Sequence, residues 1–161
     1  MPEKWDVPSQ FGPCSCSQLR RTARKVSALY DAALSPCGLT VTQHAILVNI
    51  GRAGSISRTA LASRLGMDRT TLTRNLRPLE AKEFVVPAES VDRRERLLIL
   101  SAEGCRRLRQ SYDLWEKAQL TFAEQLTFSA TQHLHATLKG AEGAAEAALR
   151  SFTHSKVTNK S

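Results

Sequence analysis

Two helical stretches within residues 58–82, separated only by residues 66–68, limit most strongly what this chain can fold into. Leu61 and Leu65 lie one turn apart in the first stretch, and the glycine that follows ends it, because glycine adopts helix-closing backbone angles at little cost. Asp68 can then accept hydrogen bonds from the free N–H groups that begin the second stretch. The spacing therefore predicts a helix–turn–helix.

The second stretch, from Arg69 to about Lys82, has one apolar face and one basic face. Leu72, Leu76 and Leu79 fall on one narrow side of a helical wheel. The opposite side carries hydroxyls and guanidiniums and no carboxylate, whereas a solvated surface helix usually mixes both signs. Arginine bonds guanine O6 and N7 with both arms, and threonine bonds base edges or phosphates. The helix is therefore predicted to read duplex DNA through Arg69, Thr70, Thr71, Thr73, Arg74 and Arg77.

Pro78 is the unusual residue of this helix. It removes a backbone hydrogen bond, so we expect it to bend the helix or weaken its second half. The sequence assigns it no function.

Two apolar segments, Phe84–Ala88 and Leu97–Leu100, follow the helix–turn–helix and flank a polar loop. They predict a β-hairpin, and Pro87, which has no N–H for a ladder, places its strand at an edge. By itself the loop reads as an ordinary charged turn, but its position after a helix–turn–helix favours a wing. Asp92 can hold Arg94 in one rotamer, and an arginine on a narrow loop can enter a minor groove. The predicted wing contacts are Asp92, Arg93, Arg94 and Arg96.

Capping signals place the remaining helices. Thr40 and Gln43 form a capping box that opens a helix before the helix–turn–helix. Ser101 caps the helix after the hairpin, and Ser129 with Gln132 predicts a capping box for the last helix. The fold class is thus mainly α with a small β-hairpin wing, a winged helix–turn–helix.

The chain length of 161 residues fits one domain. The terminal helices carry apolar stripes that nothing else in the chain would cover, which predicts that they form a dimer interface. The predicted divisions are a flexible segment 1–13, a single domain 14–153 with a DNA-binding lobe at about 40–100 and dimerisation helices at about 17–34 and 101–153, and a flexible tail 154–161.

Charge and composition narrow the function classes. Lys+Arg number 23 against 15 Asp+Glu, a net charge of +8, which fits either a polyanion-binding protein or a basic protein without such a partner. No apolar run approaches the roughly 18 residues of a membrane span. The first residues show no apolar signal region either, so we expect a cytoplasmic protein with free thiols.

An enzyme that uses a Cys–His pair is the competing class. No motif joins the cysteines to the histidines, and the sequence shows neither a Gly-rich phosphate loop nor a paired-carboxylate pattern. A Cys-x-Cys pair also lacks the usual spacing of structural zinc sites. We therefore expect no enzymatic activity, no cofactor and no metal.

The sequence resembles the MarR (multiple antibiotic resistance regulator) family of bacterial winged-helix repressors, over about 16–152. Three segments carry the resemblance: Gly38-Leu39-Thr40 with Gln43, then Leu61-Ala62-Ser63-Arg64-Leu65, then Asn75-Leu76-Arg77-Pro78-Leu79-Glu80. The fourth and most specific segment runs from Asp92-Arg93-Arg94-Glu95-Arg96 through Leu97-Leu98-Ile99-Leu100 to Ser101-Ala102-Glu103-Gly104.

The resemblance implies a homodimeric transcriptional regulator, a repressor, that binds a pseudo-palindromic DNA operator. It also implies release from DNA by a small effector, such as an aromatic carboxylate, a phenol or a peroxide. Candidate ligand-binding residues are Arg20, Tyr30, His44 and Trp115, although each taken alone is more typical of a core aromatic, a capped histidine or a solvated arginine.

A thiol-based peroxide sensor is the alternative. Cys14 and Cys16 precede the first helix, where the positive end of the helix dipole and nearby arginines favour a thiolate. The peroxide-sensing branch of the family has its reactive cysteine where Cys16 falls, although Arg20 and Val41 stand where that branch has tyrosines. A remoter alternative is an architectural DNA-binding protein with no regulatory switch, which would show little sequence preference.

Overall fold

The structure is a computed structural model, and it describes residues 12–88 and 97–158, with side chains as far as Thr153. The predicted wing contacts Asp92, Arg93, Arg94 and Arg96, and almost all of the predicted N-terminal segment, lie outside the described residues. The elements in chain order are α1 (Ser15–Leu34), a 3₁₀ turn (Ser35–Cys37), α2 (Val41–Ala53), β1 (Ile56–Ser57), α3 (Arg58–Arg64), α4 (Arg69–Ala81), β2 (Val85–Ala88), β3 (Leu97–Leu100), α5 (Ala102–Leu126) and α6 (Phe128–Thr158).

The mainly helical fold with a small β-hairpin after the helix–turn–helix is confirmed. The sheet has three antiparallel strands in the order β1-β3-β2, so the predicted edge position of Pro87 in β2 is confirmed too. The sequence did not predict β1, in which Ile56 pairs with Leu98 of β3. A strand of two residues is too short to show apolar alternation, so only the tertiary pairing reveals it.

The core lies among α2, α3, α4 and the sheet. Its fully buried side chains are aliphatic and come from each of these elements and from the end of α1, namely Leu34, Ile46, Leu47, Ile50, Leu61, Leu72, Leu76, Leu79, Val85 and Leu98. This one cluster holds the helix–turn–helix against the base of the hairpin.

Most predicted caps are confirmed. The Thr40 hydroxyl accepts from the Gln43 N–H while the Gln43 side chain accepts from the Thr40 N–H, which is the predicted capping box. The Ser101 hydroxyl accepts from the Gly104 N–H at 3.0 Å.

The predicted capping box at Ser129 and Gln132 is wrong. The last helix begins at Phe128, and the Thr127 hydroxyl accepts from the Ala130 N–H at 3.3 Å. Thr127 has φ +72°, so the break between α5 and α6 falls two residues before the predicted cap, Ser129. A local pattern of Ser and Gln could not show this, because the competing hydroxyl has the same three-residue spacing.

The chain divides into two compact units, Met1–Ala118 and Gln119–Ser161. Helix α6 continues to Thr158, into the segment predicted as a tail. Over the ranges that the structure describes, no helix combines the length and the apolar character needed to cross a membrane.

Candidate nucleic-acid interface

Helix α4 is fixed to the core along one side only. Leu72, Leu76 and Leu79 are at most 1% exposed, as the wheel predicts. Burying a leucine side chain is worth roughly 1.5–3 kcal/mol, so these three anchor the helix firmly. The rotation of α4 is thereby set, and its opposite side must face solvent.

The solvent side of α4 brings five of the predicted DNA contacts together. They line one surface depression of about 430 Å³ and are Arg69, Thr70, Thr73, Arg74 and Arg77. All five side chains are exposed. The face thus concentrates three positive charges and two hydroxyls in one place, a composition suited to phosphates and guanine edges.

The sixth predicted contact, Thr71, has a different environment. It is half-buried, its hydroxyl donates to the Asp68 carboxylate at 2.7 Å, and its N–H donates to the other carboxylate oxygen at 2.8 Å. These bonds, the hydroxyl bond first, lower the pKa of Asp68. Asp68 is therefore the predicted N-cap of α4, and Thr71 completes the cap.

Two other polar side chains of α4 bond back to its own backbone. The Thr73 hydroxyl donates to the Arg69 carbonyl at 2.8 Å, and the Asn75 amide donates to the Thr71 carbonyl at 2.9 Å. Such bonds hold each side chain in one rotamer.

The only carboxylate of α4, Glu80, is paired across the helix–turn–helix. Its side chain forms a salt bridge with Arg58, the first residue of α3. The pair offsets the negative charge of Glu80 with the positive charge of Arg58. The sequence did not predict it, because two residues so far apart along the chain share no local pattern.

Pro78 does not end α4, which continues to Ala81. After the helix, Glu83 takes a left-handed conformation with φ +56°. The Phe84 N–H donates to the Leu79 carbonyl and the Glu83 N–H to the Glu80 carbonyl, both at 2.9 Å. This is a Schellman motif with glutamate at the position where glycine is usual.

The start of α5 is bonded to this turn, at the base of the hairpin. The Ser101 hydroxyl donates to the Glu83 carbonyl at 2.6 Å, and the Ser101 N–H donates to the Phe84 carbonyl at 3.1 Å. Gly104 packs directly on the Phe84 backbone. The end of α4, the beginning of β2 and the start of α5 therefore form one connected unit.

Two cations lie close to the Phe84 ring, another arrangement the sequence did not suggest. The Arg107 guanidinium lies 5.2 Å from its centroid and the Lys82 ammonium 5.9 Å away. Arg107 also donates to the Cys37 carbonyl at 3.3 Å, and Lys82 to the Gly38 carbonyl at 3.4 Å. These contacts connect the hairpin base to the turn after α1.

The candidate ligand-binding residues have different environments. His44 is 3% exposed, its Nδ1 lies 2.9 Å from the Ser111 hydroxyl, and its ring stacks on Trp115 at 5.8 Å. Burial lowers the pKa of His44 and raises that of Tyr30, which is 8% exposed. Arg20 is exposed. The structure thus brings His44 and Trp115 together, while Arg20 faces solvent.

The candidate redox residues lie at the start of α1. Cys14 and Cys16 are both free and exposed. Cys14 occupies the N-cap position and lines a surface depression of about 250 Å³ with Pro13, Ser17, Gln18 and Arg21. Hydrogen bonds from Ser17, the backbone bond first, lower the pKa of the Cys14 thiol. Throughout the described ranges, no group of three or more Cys, His, Asp or Glu side chains could hold a metal ion.

Comparisons with known proteins give the wider context. The family model described as MarR family matches residues 39–95, which cover the helix–turn–helix and β2 but end before β3. A helix–turn–helix transcriptional regulator of Bacillus subtilis, YwoH, is 27% identical over 109 residues, 68% of this chain and 77% of the relative.

Two solved structures agree over most of the chain. The M. tuberculosis transcriptional regulator MosR, in complex with DNA, is 33% identical with a TM-score of 0.70, covering 83% of this chain and 98% of MosR. A variant of E. coli MarR in complex with operator DNA is 26% identical with a TM-score of 0.72, covering 78% of this chain and 91% of that one. This chain belongs to the MarR family of winged-helix transcriptional regulators.

Proposed function

We propose that this protein is a homodimeric repressor that binds a pseudo-palindromic DNA operator and leaves it when a small effector binds. The exposed side of α4 carries the proposal: Arg69, Arg74 and Arg77 project from it together with two threonines, and its one carboxylate is paired elsewhere. Helix α4 enters the major groove, and the loop bearing Arg94 contacts the adjacent minor groove. MosR and MarR, the compared structures, were both solved with DNA.

Large apolar side chains exposed on α6 support the dimer. Phe128, Leu149 and Phe152 are 71%, 64% and 69% exposed. Exposed apolar groups that recur along one helix side indicate a surface covered by a partner. We infer that this partner is a second copy of the chain related by two-fold symmetry. Such a dimer would present its two α4 helices about one turn of DNA apart.

Selection from random duplex DNA, followed by a salt titration of the selected sequence, tests the operator proposal. We expect a palindrome bound roughly 10³-fold or more tightly than random DNA. A protein that coats DNA without regulation would instead show little preference and mainly a steep salt dependence. That outcome would contradict an operator-specific repressor.

The stack of His44 on Trp115 supports an aromatic effector, either a carboxylate or a phenol. The stack joins α2 to α5, and α2 packs against α4. A ligand that displaces Trp115 would therefore shift α4 through α2. A screen of aromatic acids and phenols for release of the operator tests this. Trp115→Leu should weaken release by an active compound while the operator affinity is kept.

A thiol signal is the second candidate, and the lowered pKa of Cys14 favours it. The thiolate would attack the O–O bond of a peroxide, giving a cysteine sulfenic acid and releasing the alkoxide, which takes up a proton. Cys14→Ser and Cys16→Ser should both keep operator affinity, and the reactive position is the one whose replacement abolishes release by peroxide. Undiminished release in the double variant would exclude both cysteines.

A further inference from the structure

We propose that Thr73 selects thymine at one base position of the operator, through contact of its γ-methyl group with the thymine 5-methyl. The inference rests on the proposed operator binding and adds a specificity-determining residue to it.

The hydrogen bond that Thr73 makes inside α4 carries the inference. Its hydroxyl proton is donated to the Arg69 carbonyl at 2.8 Å. Since threonine has one hydroxyl proton, Thr73 has no donor left for a base. The same bond fixes χ1, so the γ-methyl keeps one direction relative to the helix instead of exchanging places with the hydroxyl.

The position of Thr73 puts this group where bases are read. Thr73 is exposed and lines the depression with Arg69 and Arg74, one on each side along the helix. Thr71 does not compete for the role, because it is half-buried and its hydroxyl is bonded to Asp68.

The chemistry of the base edges then selects thymine. In the major groove guanine shows only acceptors, so a threonine without a free donor leaves them unpaired. The 5-methyl of thymine is the apolar group of that groove and matches a fixed methyl. A hydroxyl that only accepts could still bond adenine N6 or cytosine N4, and the test separates that outcome.

The test removes single methyl groups, the 5-methyl from thymines of the operator and the γ-methyl from Thr73 of the protein. In the selected operator, each thymine of one half-site is replaced in turn by deoxyuridine, which lacks only the 5-methyl. Affinities are measured for the wild type, for Thr73→Val, which keeps a γ-methyl without the hydroxyl, and for Thr73→Ser, which keeps the hydroxyl alone. Thr70→Ser is the control from the same exposed side, and thermal unfolding confirms that each variant is folded.

One position should report the contact. At that position, deoxyuridine should weaken binding of the operator about fourfold, the value of one buried methyl, for the wild type and for Thr73→Val and Thr70→Ser. The affinity of Thr73→Ser should be the same for the thymine and the deoxyuridine operator. If Thr73→Ser keeps the preference and Thr73→Val loses it, or if no position couples to Thr73, the inference is overturned while operator binding stands. If no sequence is selected at all, operator binding and the inference fall together.

Discussion

The α-carbon of Gly104 lies so close to Phe84 that a methyl group added to it would sit 2.0 Å from the Phe84 carbonyl oxygen. Real Cβ atoms do not approach backbone oxygen that closely, so the helix start and the hairpin base can meet only through a glycine. Gly104→Ala should lower the free energy of unfolding by about 2–3 kcal/mol, as overpacked sites do. Denaturant unfolding measures this.

Gly143 provides the matched control for that substitution. It lies in α6 with open space around its α-carbon, so Gly143→Ala should raise stability by about 0.5–1 kcal/mol through helix propensity. Equal effects of the two substitutions would contradict the close packing at Gly104.

The left-handed backbone at Glu83 predicts a stabilising substitution. A side chain at φ +56° is strained, and glycine is the usual residue at this position of a Schellman motif. Glu83→Gly should raise the free energy of unfolding by about 0.5 kcal/mol. Glu83→Ala removes the same carboxylate but keeps the Cβ, so it should give no such gain. Parallel denaturation curves of the two variants decide between backbone strain and charge.

Arg74 should carry base-specific affinity. Arg74→Ala should weaken operator binding by about 1–3 kcal/mol and relax preference at one base position. Arg94→Ala, in the wing, should weaken binding more uniformly across sequences. Arg109→Ala, an exposed arginine of α5, removes the same charge and serves as the control. Unchanged affinity in Arg74→Ala would show that α4 does not read DNA through this residue.

Burial of His44 makes stability depend on pH. An unfolded histidine has a pKa near 6.5, and burial lowers the pKa of folded His44, whose contacts Ser111 and Trp115 carry no charge. Below about pH 6.5 the unfolded chain therefore takes up the proton first, so stability present at pH 7.5 is lost as the pH falls.

Denaturation at pH 7.5, 6.5 and 5.5 measures this loss. His44→Gln should flatten the dependence, whereas His133→Gln, at an exposed position, should leave it unchanged. A wild-type slope that survives in His44→Gln would place the titrating group elsewhere.

The proposed dimer should depend on the apolar side of α6. Leu149→Glu puts a charge where the partner would pack, and two-fold symmetry repeats the cost, so the protein should become monomeric in sedimentation and bind the operator more weakly. Ala147→Glu, on the opposite side of the same helix, adds the same charge and should stay dimeric. Identical sedimentation of the two variants would contradict a role for α6 in the dimer interface.

The helix–turn–helix is predictable from local pattern alone, because Leu72, Leu76 and Leu79 repeat at the helical period and Asp68 caps the helix from the adjacent residue. These are local relationships, and the same periodicity that predicts burial on one side predicts which arginines are exposed on the other. It also placed the hairpin strands and the edge position of Pro87.

Which distant groups meet depends on the packing of the folded chain. The pairing of Ile56 with Leu98, the salt bridge of Glu80 with Arg58 and the contact of Gly104 with Phe84 join segments that share no local pattern. The spacing of residues also could not show which hydroxyl caps α6, because Thr127 and Ser129 are both suitably placed in the sequence. The path of the folded backbone selects Thr127. Contacts of this kind depend on how the core packs, which a one-dimensional pattern does not contain.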